Sequence, residues 1–229
     1  YMTAPTLSND EFYIVDFDRT LVDSDKLNEV FVEIAVQHAA ISEEQVAKAN
    51  DDVKRTGDSF DTAGYVRDRL AAEGRSEEWE ALEKQFIHES RSLNYLLPGA
   101  GDLLEWLALH GKRYGILTYG NPLWQRIKLT ASGFNHVRHI IMEQKHKGRL
   151  ISSWHRPDDT FRLPQEFGGG TASRIVLIDD KAVSFAEFPA LPSQGFWVCD
   201  PAHELPSQQG GVPANTTRHN NLNDVIELL

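Results

Sequence analysis

Phe12-Tyr13-Ile14-Val15-Asp16-Phe17-Asp18-Arg19-Thr20-Leu21-Val22-Asp23-Ser24-Asp25 is the stretch on which the reading of the fold turns. Phe12 to Val15 has the β-branched and aromatic content of a buried strand. It ends abruptly in two acids, Asp16 and Asp18, with Thr20 two residues on. Open α/β sheets bind ligands beyond the carboxyl ends of their strands, which places both acids at the mouth of a site. If the strand continues through Asp18, the two side chains point the same way. If the chain turns, they converge on one point from different sides. Acids this close repel unless a cation or a shared proton intervenes. Mg²⁺ suits such a site, since it takes carboxylate and carbonyl oxygens and keeps several waters. A metal-neutralised Asp can then attack phosphorus. An isolated Asp-x-Asp is more often a solvated turn, so the rest of the chain decides.

The chain has 229 residues, 41% hydrophobic and 25% charged, which is enough to bury a substantial core in one large domain or one domain with an insertion. A net charge of −11 argues against a general nucleic-acid surface, because phosphate backbones require clustered Lys and Arg. Cys199 is the only cysteine, so no intrachain disulfide forms, in keeping with a reducing cytoplasm. Residues 1–11 show no charged-then-apolar leader pattern, and no apolar run approaches the ~18 residues needed to span a bilayer.

After the first strand, helical spacing dominates. Leu27, Val30, Phe31, Ile34 and Ala35 recur at three- and four-residue intervals. Ser42-Glu43-Glu44-Gln45 predicts a capping-box start, and Gly57-Asp58 a break. Phe60, Ala63, Val66 and Leu70 predict a third helix, and Ser76 is expected to cap a fourth carrying Trp79, Leu82 and Phe86. About seventy residues of helix are far longer than an ordinary strand-to-helix connection. The segment reads as a helical insertion ended by Pro98-Gly99.

From Pro98 the pattern alternates. Four more short apolar runs follow: Tyr114 to Leu117, Val137 to Met142, Ile175 to Ile178 and Phe196 to Cys199. Helices are expected around Leu103 to Leu107, from Asn121-Pro122 (an N-cap and a first-turn proline), and at Leu222 to Leu229. Strands alternating with helices predict a doubly wound, mostly parallel Rossmann-like α/β sheet. Such a sheet gathers Asp16, Asp18, Thr118, Lys145 or Lys147, Asp179 and Asp180 along one edge.

In that order these motifs resemble the haloacid dehalogenase superfamily of phosphotransferases, over roughly residues 10–23 and 98–200. The resemblance implies a core of residues 1–23 and 96–229 and a helical cap of C1 type over residues 24–95. It implies a Mg²⁺-dependent phosphomonoester hydrolase whose partner is a small phosphorylated substrate. Asp16 would be the nucleophile and Asp18 the acid and base. Thr118 would hold a phosphoryl oxygen with amides near Tyr119 and Gly120, and the helix from Asn121 would aim further N–H groups at the phosphate. Lys147, favoured over Lys145, would bridge Asp16 and the phosphate. Asp16, the Asp18 main-chain carbonyl, Asp179 and Asp180 would hold or support Mg²⁺. Dehalogenases of the superfamily lack an acid at the position of Asp18, which points to a phosphatase or a phosphomutase. A phospho-ligand-binding protein with this fold is the alternative from another class, but it has no need of Asp18.

Other features are assigned more ordinary roles. Gly168-Gly169-Gly170 lacks the Gly-Lys-Ser/Thr that completes a phosphate loop and reads as a turn. His136, His139, His146 and His155 match no zinc spacing. Cys199 is expected to be buried and unreactive. Lys181 stands either to meet the phosphate or to pair with an acid, and Tyr119 to line the site or pack on the cap. Arg55, Ser59, Asp61, Tyr65, Arg67 and Arg91 are polar or aromatic cap residues that read mainly as solvated helix faces.

Overall fold

A computed structural model describes residues 10–38, 41–56 and 60–229. Alternation along the first strand, β1 (Glu11–Val15), puts Phe12 and Ile14 into one apolar layer and Tyr13 and Val15 into the other. A strand buried on both faces belongs in the middle of a parallel sheet. There it lies, between β2 (Arg113–Tyr119) and β6 (Arg174–Asp179), with Ile14 opposite Gly115 and Leu177. β3 (His139–Met142), β7 (Gln194–Val198) and β8 (Thr216–His219) complete the order β3-β2-β1-β6-β7-β8, and every pairing is parallel. The chain steps outward from β1 to β3 and then crosses back to β6. The crevice between β1 and β6 is therefore the topological switch point.

The five apolar runs all become strands of this sheet. The sixth strand, β8, goes unnoticed in the sequence because an edge strand pairs on one side only. Thr216 is buried, while Thr217 and Arg218 face solvent. β4 (Phe161–Arg162) and β5 (Thr171–Ala172) form a small antiparallel ribbon. Between them Gly168, Gly169 and Gly170 all have positive φ, a run that side chains tolerate poorly. Arg113, at the start of β2, donates to the carbonyl of the neighbouring Thr171 at 2.7 Å, so this glycine turn lies at the sheet edge opposite the strand ends that bear the acids.

Between β1 and β2 the chain inserts α1 (Ser24–His38), α2 (Glu43–Thr56), α3 (Thr62–Ala72) and α4 (Glu78–Ser90) before α5 (Ala100–Leu109). The predicted capping box opens α2. The Gln45 amide donates to Ser42 Oγ at 3.2 Å, and the Ser42 amide donates to Gln45 Oε1 at 3.0 Å. The expected Ser76 cap does not form. Glu77 holds the N-cap position of α4 without a side-chain bond, and Arg75 instead ties to Glu78 at 2.7 Å. The expected break at Gly57-Asp58 lies outside the described residues, as do Ser59 and the side chain of Arg55. Entry to and exit from the insertion run side by side. Asp23 donates its amide to Tyr95 O at 2.8 Å and Leu97 to Leu21 O at 3.0 Å. α6 (Pro122–Ala131), α7 (Lys147–Ser152) and α8 (Leu222–Ile226) complete the helices used below. No helix among the described residues is long and apolar enough to cross a membrane.

Candidate active site

β1 stops at Val15, but Asp16 stays in register because its amide donates to Ile178 O at 2.9 Å. The chain then turns. Leu21 and Val22 both donate to Phe17 O at 3.1 Å, and Arg19 takes a φ of 60°. This turn decides between the two geometries open to Asp16 and Asp18. Their carboxylates go to different partners. Thr20 Oγ1, brought back by the turn, donates to Asp16 Oδ2 at 3.0 Å. Asp18 reaches α6, where Gln125 Nε2 donates to its Oδ2 at 2.7 Å and the Lys128 ammonium pairs with its Oδ1.

Lys147, the first residue of α7, is 2% exposed. Its ammonium donates to Asp16 Oδ1 and, at 2.6 Å, to Asp179 Oδ2. Lys145 lies at the cavity wall instead, its ammonium 5.9 Å from the centre of the Tyr119 ring. Asp179 ends β6, and its Oδ1 accepts from the Lys181 amide at 2.9 Å. Asp180 Oδ2 accepts from Gln208 Nε2 at 2.8 Å, while its Oδ1 is buried without a partner among the described residues.

One carboxylate oxygen each from Asp16, Asp179 and Asp180 lies within 4.8 Å of the others, and all three residues are buried. It is the one group of three or more His, Cys, Asp or Glu among the described residues able to hold a metal. Burial pushes the Asp16 carboxyl up to about 6 against the pull of Lys147. Burial likewise pushes Asp180 up to about 7 against Lys181. Burial acts on Asp18 in the same direction, but there Lys128 and Gln125 outweigh it and hold the carboxyl below its ordinary value. An all-oxygen donor set, an orphaned carboxylate oxygen and acids strained toward their neutral forms fit a hard divalent cation such as Mg²⁺. Asp18 gives this cluster no side-chain oxygen.

Thr118, near the end of β2, is fully buried, and its Oγ1 has no hydrogen-bond partner among the described residues. Tyr119 lines the cavity. Gly120 differs from the expectation. The sheet ladder extends one residue past β2, so the Gly120 amide donates to Met142 O at 2.9 Å and does not face a phosphate. Its glycine character serves Gln125 instead, since a Cβ there would lie 2.4 Å from Gln125 Nε2. Asn121 occupies the N-cap of α6 and Pro122 its first turn, with no side-chain capping bond from Asn121.

A cavity of about 930 Å³ separates the strand ends from the insertion. Its core wall includes Asp16, Asp18, Lys128, Lys147 and Lys181, and its other wall includes Asn28, Asn50, Phe60 and Thr62. Among the polar and aromatic cap residues noted from the sequence, Asp61 caps α3 by accepting from the Gly64 amide at 2.9 Å. Tyr65, Arg67 and Arg91 are not among the lining residues. Cys199 is free and buried, and burial raises its thiol, which leaves it unreactive.

Three contributors escaped the sequence reading: Gln125, Lys128 and Gln208. Lys128 carried a signal. It falls four residues after Trp124 on the buried face of α6 that also holds Ile127 and Ala131, and a lysine in an apolar stripe needs a partner. Gln208 closes a short 3-10 turn, Pro206–Gln208, 28 residues beyond Asp180, and nothing in the sequence there marks it as a partner for that acid.

A parallel sheet with helices on both faces, an insertion after the first strand and a carboxylate-lysine cluster at the switch point define the class: a Rossmann-like α/β fold with an acid-centred site. Within that class the chain has the haloacid dehalogenase-like fold over nearly its whole length. Similar solved structures include a protein provisionally described as a haloacid dehalogenase-like hydrolase from Burkholderia xenovorans, at 18% identity, 96% coverage of each chain and a TM-score of 0.65. Another, provisionally described as a hydrolase of the same group from Bacillus subtilis and bound to magnesium, is 16% identical, with 95% of this chain and 97% of that one covered and a TM-score of 0.53. A third, provisionally described as a β-phosphoglucomutase from Thermotoga maritima, is 14% identical, with 96% and 100% covered and a TM-score of 0.55. No protein-family model matches the chain, and no curated protein matches its sequence.

Proposed function

We propose that the protein is a phosphomonoester hydrolase that acts on a small organic phosphate through an aspartyl-phosphate at Asp16. The observation that carries this reading is the Asp18 carboxylate, held at the cavity wall by α6 and separate from the Asp16 cluster. Haloalkanoate chemistry at an Asp nucleophile has no use for a second acid in that place. Phosphate ester cleavage has two: the leaving oxygen needs a proton, and the attacking water must lose one.

The chain's own residues support each part of the cycle. An Asp16 oxygen forms the new bond to phosphorus as the ester P–O bond breaks, and the leaving oxygen takes a proton from Asp18, which first takes that proton up from solvent against the pull of Lys128 and Gln125. Asp18, now a carboxylate, takes a proton from water as the water oxygen attacks phosphorus. The Asp16–phosphorus bond breaks, releasing inorganic phosphate. Lys147 offsets the repulsion between the Asp16 carboxylate and an anionic ester. The Thr118 hydroxyl, without a partner among the described residues, is available to a phosphoryl oxygen. A Mg²⁺ held by Asp16, Asp179 and Asp180 would add positive charge against the phosphoryl oxygens. The helical insertion serves as the cap: Asn28, Asn50, Phe60 and Thr62 stand opposite the acids, where a leaving group would lie. A net charge of −11 supports a small substrate met by local lysines and not a nucleic acid.

The test is release of inorganic phosphate from a panel of phosphomonoesters, with Mg²⁺ or with excess chelator, by wild type and Asp16→Asn. Metal-dependent turnover abolished in Asp16→Asn is expected. Turnover that survives the substitution overturns the nucleophile, and phosphate shifted within a substrate without release would make the protein a mutase.

A further inference from the structure

We propose that Gln125 and Lys128 are positioning residues that orient the Asp18 carboxylate for proton transfer beside Asp16. This deepens the hydrolase reading, and the kinetic part of its test rests on that reading.

Asp18 lies beyond the end of β1, in the turn, so its side chain is aimed by other means. α6 supplies them. Gln125 and Lys128 are three residues apart and so neighbours on one helix face. The two N–H bonds of Gln125 Nε2 serve Asp18 Oδ2 at 2.7 Å and Tyr119 O at 2.8 Å, tying Asp18 to the end of β2. Gln125 Oε1 is buried without a partner among the described residues, so the amide's orientation answers to these two acceptors. The Lys128 ammonium takes the remaining oxygen, Asp18 Oδ1. Each carboxylate oxygen thus has its own donor from α6.

The arrangement costs stability elsewhere. Lys128 is 5% exposed, and a buried lysine-carboxylate pair gives little net stability over apolar packing. Gly120 carries a φ of 151° and leaves the space that Gln125 fills. The lysine is also bracketed by rings, with Trp124 at 5.7 Å and Phe17 at 5.9 Å. Trp124 in turn packs against Phe31 of α1 at 4.8 Å and Phe86 of α4 at 5.9 Å. The helix that aims Asp18 is therefore braced against the insertion. A general acid or base acts only within hydrogen-bond reach of its proton, and small misplacements are costly in rate. Orientation of Asp18 is the return on this buried polar cluster.

The test compares wild type, Lys128→Met, Lys128→Arg and Asp18→Asn on p-nitrophenyl phosphate and phenyl phosphate with Mg²⁺, after thermal melts show each variant folded. Phenolate is the poorer leaving group and depends more on a well-placed acid. Lys128→Met removes both the aim of Asp18 and the charge that favours its ionised form. The proposal requires the loss of aim to outweigh the easier protonation, so kcat/KM should fall about tenfold or more for phenyl phosphate and less for p-nitrophenyl phosphate. Inhibition by inorganic phosphate should stay within about twofold. Asp18→Asn should show the same bias, and Lys128→Arg should recover most of the loss. Equal losses on both esters, or weaker phosphate binding without the bias, would make Lys128 a substrate-binding group and overturn the proposal. Crystal structures supply a readout free of turnover: in Lys128→Met the Asp18 carboxylate should rotate away from its wild-type position. An unmoved Asp18 overturns the proposal, even if the wild type cleaves neither ester, a result that would count against the hydrolase reading alone. Should Lys128→Met not fold, Gln125→Leu takes the same measurements.

Discussion

Lys147 and Asp179, 32 residues apart in sequence, meet at 2.6 Å in the interior, where the same lysine also holds Asp16. One ammonium thus stands between the acid just past the end of β1 and the acid that ends β6. Without it, two buried carboxylates face one another across the switch point.

Replacing Lys147 with Met should therefore be costly in two ways. Stability at pH 8 without metal should fall by about 3–5 kcal/mol, the usual cost of leaving a buried charge uncompensated. The loss should shrink toward pH 5, where Asp16, already pushed up to about 6, takes a proton. Denaturant unfolding at both pH values checks this, and a loss independent of pH would place the damage in packing.

Asp180 gives a pH signature of opposite sense. Its carboxyl is raised to about 7 by burial, so the metal-free folded state holds the proton more tightly than the unfolded chain does. That contribution to stability is complete below about pH 4 and is lost as pH rises through 7. Asp180→Asn keeps an acceptor for Gln208 and removes the loss. It should stabilise metal-free protein by roughly 1–3 kcal/mol above pH 7 and have little effect near pH 4. Mg²⁺ should raise the melting temperature of wild type more than that of the variant. Melts across pH with chelator and with Mg²⁺ measure both effects.

Thr118→Val should separate stability from function. The hydroxyl is buried and has no partner among the described residues, so an isosteric Val should leave unfolding within about 0.5 kcal/mol of wild type or raise it. If the hydroxyl meets a phosphoryl oxygen, kcat/KM should drop about 10- to 100-fold. A stable variant of full activity would remove Thr118 from the site.

The strands and the ends of the strands were legible before the structure because they rest on local signals. Phe12 to Val15 announces a buried strand by residue type alone, and the sharp change to Asp16 marks where it ends. The helices of the insertion declare themselves by three- and four-residue spacing, and the Ser42 capping box by a four-residue motif. Once the sheet is parallel, Asp16, Thr118, Lys147 and Asp179 must come to one edge, since parallel strands all finish on the same side.

Tertiary structure alone decided which way each of those groups faces. Asp18 leaves the Asp16 cluster because a turn closed on Phe17 O sends it toward α6, and its partners Gln125 and Lys128 lie more than a hundred residues away. The Gly120 amide goes to Met142 because the β2–β3 ladder runs one residue past the end of β2, beyond the apolar run that marked the strand. β8 joins the sheet although its residues are polar, because an edge needs only one partner. Periodicity and propensity act over a few residues and so can be read along the chain. The pairing of buried charges is settled by which donors the fold brings within hydrogen-bond distance, and that is a property of the packed molecule.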